Sequence, residues 1–125
     1  MSKFKTGQKI KTSNSNWKFS GKVVKYFDEH ILKSVPLYYE GHNLICSISD
    51  HFLQNDSIVY DLGCSTGTLI KKLNERHSEK KIYFNGVEIE KDMVDKAKKL
   101  NKEKKEKILK KNLQNLKLRK KEKII

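Results

Sequence analysis

The stretch Val59-Tyr60-Asp61-Leu62-Gly63-Cys64-Ser65-Thr66-Gly67 decides how the whole chain is read. Ile58 to Leu62 is a short run of β-branched and apolar residues, which suits a buried strand. Gly63 and Gly67 bound a loop, and Thr68-Leu69-Ile70-Lys71-Lys72-Leu73 resumes helical spacing. A strand therefore leads into a glycine turn, and the turn into a helix. Gly63 permits a positive φ and lets a ligand approach where a Cβ would clash. Gly67 allows close packing at the helix start. The N–H groups of such a loop can bind a ligand's polar groups. The GxxxG spacing departs from the GxGxxG fingerprint and so argues against a dinucleotide pyrophosphate cradle. It also lacks the GxxxxGK[ST] order of a Walker phosphate loop.

The chain repeats the pattern downstream. Lys81-Ile82-Tyr83-Phe84-Asn85-Gly86-Val87-Glu88 reads as a second strand. Glu90-Lys91-Asp92-Met93 opens another helix, with acids in its first turn where the macrodipole favours them. Strand, helix, strand, helix implies parallel strands joined by a right-handed crossover, an α/β class. Asp61 stands at the carboxyl end of the first strand, where open parallel sheets bind their ligands. A carboxylate there suits a cation such as an amino-acid ammonium. Glu88 stands at the same end of the next strand, 21 residues after Gly67, and acids at that distance accept ribose hydroxyls. Glu90 is its rival, two residues on. An amino-acid end at the loop and a ribose at the second strand together describe S-adenosylmethionine.

Upstream, residues 1–16 read as a flexible polar leader and residues 17–57 as broken helix. Val23, Val24, Phe27, His30, Ile31 and Lys33 set out a helical stripe, and Pro36 ends or bends that helix. A second helix is predicted from about Tyr39 to Phe52, with Leu44, Ile45, Ile48 and Phe52 facing the core. From Lys96 the chain becomes Lys/Asn/Glu/Leu-rich. Ala97, Leu100, Ile108, Leu109, Leu113 and Leu116 form only an interrupted stripe, which predicts a long solvated helical tail over 101–125. No third strand is legible before the terminal Ile124-Ile125 pair, which is too short to count.

Composition narrows the function classes. A chain of 125 residues can bury about two-thirds of its unfolded surface, so one domain is expected. The chain is 36% hydrophobic and 34% charged, with a mean hydropathy of -0.76, and no apolar run is long enough to span a membrane. The leading residues MSKFKTGQKIKTSNSN are basic but lack the apolar core of a secretory signal. Cys46 and Cys64 supply neither a disulfide framework nor a CxxC zinc spacing, and a reducing cytoplasm is the expected compartment. The four histidines fall at irregular spacings, so no metal site is predicted. Cys64 has no histidine base placed by local sequence, so it is not read as a nucleophile. The net charge is +13, of which residues 91–125 carry +10. Only Arg76 and Arg119 are arginines, and lysine supplies point charge rather than a base-reading fork. The excess has two readings: composition alone, or a tail that binds a polyanion such as RNA.

YDLGCSTG resembles the first motif of the class I S-adenosylmethionine-dependent methyltransferases, and GVEIEKDM resembles the end of their second strand with the helix beyond. Within that superfamily the chain is most similar to carboxy-S-adenosylmethionine synthases. That similarity rests on Trp17-x-Phe19, Phe27-Asp28-x-His30 and Ser34-Val35-Pro36-x-Tyr38, and the resemblance covers roughly residues 17–100. It implies a Rossmann-like doubly wound fold and S-adenosylmethionine, or its carboxylated derivative, as cofactor. It also implies a link to transfer-RNA modification, because the synthase product serves wobble-uridine chemistry. Gly63, Cys64 and Ser65 would line the methionine and ribose moieties. Asp61 would hold the amino end, Glu88 the ribose diol and Ile89 the adenine face. Tyr38 would close over the cofactor. Met93 is read as core before adenine contact, and Trp17 and Phe19 as an N-terminal anchor before a lid.

The superfamily builds a seven-stranded sheet. Only two strands are legible here, so a domain truncated after its second strand is expected, with a second chain or an oligomer to complete the sheet. The leading functional reading is a methyltransferase or related group transferase. The alternative is a non-enzymatic cofactor-binding half-domain whose basic tail contacts RNA or a protein partner.

Overall fold

The computed structural model describes residues 21–102, together with the strand segments 107–110 and 122–124. The leader over 1–16 and the Trp17/Phe19 anchor lie outside the described residues. Helix α1 spans Lys22–Ser34 and α2 spans Tyr38–Ser49. Strand β1, Ile58–Leu62, leads to α3, Thr68–Arg76, and strand β2, Tyr83–Glu88, leads to α4, Lys91–Leu100. Strands β3, Lys107–Lys110, and β4, Glu122–Ile124, follow. Val35 is extended at φ -111, ψ 111, as expected before a proline, and it ends α1.

Among the described residues the sheet has four strands, in the order β3-β2-β1-β4. Every pairing is parallel. Asp61 stands opposite Gly86 and Leu62 opposite Val87, so the tips of β1 and β2 lie side by side. The predicted partial Rossmann-like core is present. The helical tail needs correction: β3 extends the sheet beyond β2 and β4 extends it beyond β1, so two stretches of 101–125 are strand and not helix. The fold thus continues past its second strand. The physical reason is pairing. The outer edges of β1 and β2 present unpaired backbone donors and acceptors, and these recruit short apolar-containing stretches whatever their lysine content.

The main hydrophobic cluster joins Val59 and Phe84 of the sheet to Leu69, Ile70 and Leu73 of α3 and to Val94 and Ala97 of α4. Cys46, Leu53 and Cys64 complete it. A smaller cluster stands apart: Val24 and Phe27 of α1 pack on Met93 of α4, with Ile31 at the margin.

The core face predicted for α2 is a second correction. Leu44 is 60% exposed, Ile48 46% and Phe52 60%, and only Ile45 packs against the core. The buried positions are Cys46 and Ser49. The helix carries two apolar stripes, and the stripe with the smaller residues lets α2 approach α3 closely. Ser49 then donates to the Cys46 carbonyl at 2.6 Å and meets His77 Nε2 at 2.8 Å.

Candidate functional site

The site is built where β1 ends. The Val87 carbonyl accepts the N–H of Gly63 at 2.8 Å and of Cys64 at 3.2 Å, so the tip of β2 fixes the start of the loop. Gly63 sits at φ 80 and Gly67 at φ 76, both in the left-handed region that favours glycine. Their surroundings differ. A Cβ on Gly63 would meet nothing within 4 Å, so the backbone there faces open space. A Cβ on Gly67 would lie 2.6 Å from Asn101 Nδ2 and 3.1 Å from the Ala97 Cβ. Gly67 therefore packs the loop onto α4, and Asn101 donates to its carbonyl at 3.3 Å. Asn101, at the C-terminal end of α4, was not singled out by sequence. A lone asparagine in a lysine-rich run carries no signal.

The register sets Asp61 opposite Gly86, two residues before Glu88, so the two acids lie on the same side of neighbouring strand tips. Asp61 is 8% exposed. Burial first, and then the charge of Glu88, raise its carboxyl to about 6. No donor among the described residues is bonded to it. Glu88 is differently placed. One of its oxygens accepts the Ser65 N–H at 3.0 Å. The other accepts the N–H of Ile89 at 2.7 Å and of Glu90 at 3.0 Å. Glu88 thus ties the tip of β2 to the middle of the loop, a task that strand-end spacing alone could not reveal. Glu90, the rival acid, lends its backbone N–H to that arrangement and takes the N-cap position of α4.

Cys64 is buried, and burial with the charges of Asp61 and Glu88 pushes its thiol up to about 12. Such a thiol is not a nucleophile at neutral pH. Ser65 lies between Glu88 and the next anchor at φ 48, which is uncommon for a residue with a side chain. That anchor is Thr66, whose hydroxyl donates to Asp28 Oδ1 of α1 at 2.6 Å. Ile89 is 62% exposed at the end of β2, an apolar side chain free to meet a ligand. Tyr38 opens α2. Burial first, then the Asp28 and Asp61 carboxylates, raise its phenol above the ordinary value. Its ring centroid lies 4.4 Å from that of His42.

The loop residues Gly63, Cys64 and Ser65, the acids Asp61 and Glu88, and Ile89 gather at one end of the sheet, and the Tyr38 phenol feels the charge of Asp61. Gly67 belongs to the packing behind the loop. Asp28 appeared in sequence only as part of a motif, and its contact with the loop was not foreseen.

A serine, a histidine and an aspartate also meet at the α2–α3 contact, but not as a relay. The Ser49 hydroxyl donates to Cys46, so it accepts from His77 Nε2, and Asp50 lies 3.8 Å from that same nitrogen. Among the described residues the far nitrogen has no carboxylate bonded to it, as proton-relay catalysis would need. Among the described residues, no three His, Cys, Asp or Glu side chains converge as metal ligands, and no helix is long and apolar enough to cross a membrane.

No family model matches the chain. Its sequence is 33% identical over 82 residues to the carboxy-S-adenosyl-L-methionine synthase of Desulfotalea psychrophila, covering 66% of this chain and 34% of that protein. It therefore spans about a third of the length of the curated relatives it matches. Its fold matches a protein of Methanococcus maripaludis assigned to the S-adenosyl-L-methionine-dependent methyltransferases. The TM-score is 0.63 at 22% identity, over 85% of this chain and 48% of that one. The plantazolicin methyltransferase BpumL, solved with S-adenosylhomocysteine, matches with a TM-score of 0.54 at 14% identity, over 77% of this chain and 36% of that one. The structural matches establish the fold, and the sequence match falls on the part of the fold that carries the loop.

Proposed function

We propose that this chain, which belongs to the class I S-adenosylmethionine-dependent methyltransferase superfamily over the part of the fold it spans, binds S-adenosylmethionine at the loop after β1. In this reading it serves group transfer of the methyltransferase or carboxy-S-adenosylmethionine synthase kind. The observation that carries the reading is the coupled acidic pair Asp61 and Glu88 at adjacent strand tips, beside the open space over Gly63, in a chain whose net charge is +13. A cationic ligand relieves that local repulsion and an anionic one aggravates it.

The residues fit the cofactor. Asp61, buried and without a donor among the described residues, holds the ammonium of the methionyl end. Gly63 leaves room for the methionyl chain, and Cys64 and Ser65 line it. Glu88 accepts the ribose hydroxyls with the lone pairs its backbone donors leave open. Ile89 packs against adenine, and Tyr38 closes over the ligand. When bound, the cofactor supplies a sulfonium carbon open to nucleophilic attack, and the chain's own contribution is to position it and exclude water. Asp61 and Glu88 make the described surroundings acidic, whereas the charge of Asp28 is paired with Lys96. The carboxylated cofactor, with its extra anionic group, is therefore the poorer ligand for them.

The alternative of a non-enzymatic half-domain with an RNA-binding tail is not favoured. Two stretches of that tail serve as sheet strands, and the relatives are group-transfer enzymes by name. Calorimetric titration with S-adenosylmethionine and with S-adenosylhomocysteine tests the reading. The wild-type chain is expected to bind both, and Asp61→Ala and Gly63→Val to lose binding. No binding by the wild type, or binding unchanged in both variants, removes it.

A further inference from the structure

Helix α1 meets α4 and the loop through apolar and polar contacts, and its N-cap Gly21 donates to Asp92 of α4 at 2.7 Å. The apolar contact is the small cluster of Val24 and Phe27 on Met93, which does not merge with the main core. The polar contact with the loop centres on Asp28. Its Oδ1 accepts the Thr66 hydroxyl at 2.6 Å, and its Oδ2 accepts Lys96 Nζ of α4 at 2.6 Å. The same ammonium donates to the Val24 carbonyl at 3.0 Å, one helical turn earlier in α1. Thr66 is almost fully buried and lies in the middle of the loop. Since its single proton goes to Asp28, its contact with Thr68 at 3.1 Å is a bond it accepts. The hydroxyl is therefore satisfied in one geometry only.

This places a carboxylate on either side of the loop. Glu88 holds the Ser65 N–H from the sheet, and Asp28 holds the Thr66 side chain from α1. The two anchors act on consecutive residues, and Ser65 sits at φ 48 between them. That backbone conformation persists only where the surroundings over-determine it. Removing either anchor lets Ser65 relax and turns the loop N–H groups away from the ligand space. Tyr38 follows α1 after a three-residue corner, and its phenol feels both Asp28 and Asp61. A shift of α1 therefore carries Tyr38 with it.

We propose that Asp28 is a positioning residue, which through Thr66 and Lys96 couples the seating of α1 to the binding-competent shape of the loop. Loop occupancy and closure of α1 are then one event. The inference rests on the cofactor reading above. Asp28 touches no reacting atom in this scheme and acts through Thr66.

The test uses the full chain, with S-adenosylhomocysteine as probe. Thr66→Val removes the hydroxyl at nearly constant shape, Thr66→Ser keeps it, and Asp28→Ala removes the acceptor. Loss of this half-buried charge-assisted hydrogen bond is expected to weaken binding by about tenfold in Thr66→Val and in Asp28→Ala. The double variant should be little worse than either single one, and Thr66→Ser should stay within about threefold of wild type. Hydrogen exchange supplies the readout that a merely structural role would not move. The ligand should slow exchange across residues 22–34 in the wild type and fail to do so in Thr66→Val. Where Asp28→Ala does not fold by circular dichroism, Thr66→Val decides. Wild-type binding that Thr66→Val leaves within twofold overturns this inference and spares the cofactor reading. So do single effects that multiply in the double variant. No wild-type binding overturns both.

Discussion

The two hydrophobic clusters among the described residues do different work. The main one runs from Val59 and Phe84 in the sheet to Ile70 and Leu73 of α3 and Ala97 of α4. It packs both central strands against α3 and α4 and so sets the strand tips and the turn at Gly63. The smaller cluster, Val24 and Phe27 on Met93, sets nothing in the sheet. It seats α1 where Asp28 can reach the loop. One cluster supports the loop after β1 and the other seats the helix that touches it, so on the proposed reading stability and ligand affinity should respond to different residues.

The largest expected effect breaks or keeps that division. Leu73 is fully buried in the main cluster, and Leu73→Ala should cost about 2–5 kcal/mol of global stability. Phe27→Ala, in the smaller cluster, should leave the denaturation midpoint of the sheet nearly in place. Its effect should appear as fast hydrogen exchange over α1. Equal losses of global stability from the two variants would show that the clusters unfold as one.

The loop glycines sharpen the same contrast. Gly67 faces the main cluster, and Gly67→Ala adds backbone strain to a Cβ 2.6 Å from Asn101 Nδ2. A loss of roughly 2–3 kcal/mol is expected in urea unfolding. Gly63 faces open space, so Gly63→Ala meets only the strain of φ 80 and should cost about 1 kcal/mol. Its larger effect should be on ligand affinity. A Gly67→Ala variant as stable as wild type would mean that the loop is not packed on α4 as described.

Legibility in the sequence followed the same line. From Ile58 to Leu100 the apolar residues repeat with a clear period, and β1, the loop, α3, β2 and α4 all fall where the pattern places them. The face of α2 was not legible because the helix has two apolar stripes and only contact with α3 chooses between them. Strands β3 and β4 are four and three residues long, too short to show an alternation against a lysine-rich background. At the site, the positions of Asp61 and Glu88 could be read from strand ends. The bond from Ser65 N–H to Glu88 could not, because it depends on the loop's own φ. The tie from Thr66 to Asp28 crosses 38 residues, and no local pattern reports it.

Asp61 links the two regions through pH. Its carboxyl is raised to about 6 by burial and Glu88, against about 3.9 for an unfolded aspartate. The folded state therefore keeps the proton that the unfolded state gives up. The stabilising effect is complete below about pH 4 and is lost as pH rises to about 6, with an amplitude on the order of 2–3 kcal/mol. Asp61→Asn should flatten that part of the urea-stability profile. Ligand affinity should run the opposite way. An ammonium favours the ionised carboxyl, so binding of S-adenosylhomocysteine should tighten as pH rises through about 6 and then level off. A wild-type affinity indifferent to pH between 5 and 7 (an approximate window around that value) would separate Asp61 from the ligand's charged end.

The smallest effect belongs to the face that neither cluster claims. Leu44, Ile48 and Phe52 repeat every fourth residue along α2 and its following turn, all on the exposed side. Apolar side chains already in water lose no burial when replaced. Leu44→Gln and Phe52→Gln should therefore change unfolding free energy by less than about 0.5 kcal/mol each. Ile45, on the inner stripe of the same helix, packs against the main cluster, and Ile45→Ala should cost more than either. Urea midpoints for the three variants rank the two stripes directly. If the outer substitutions proved the costlier, the orientation of α2 on α3 would be wrong.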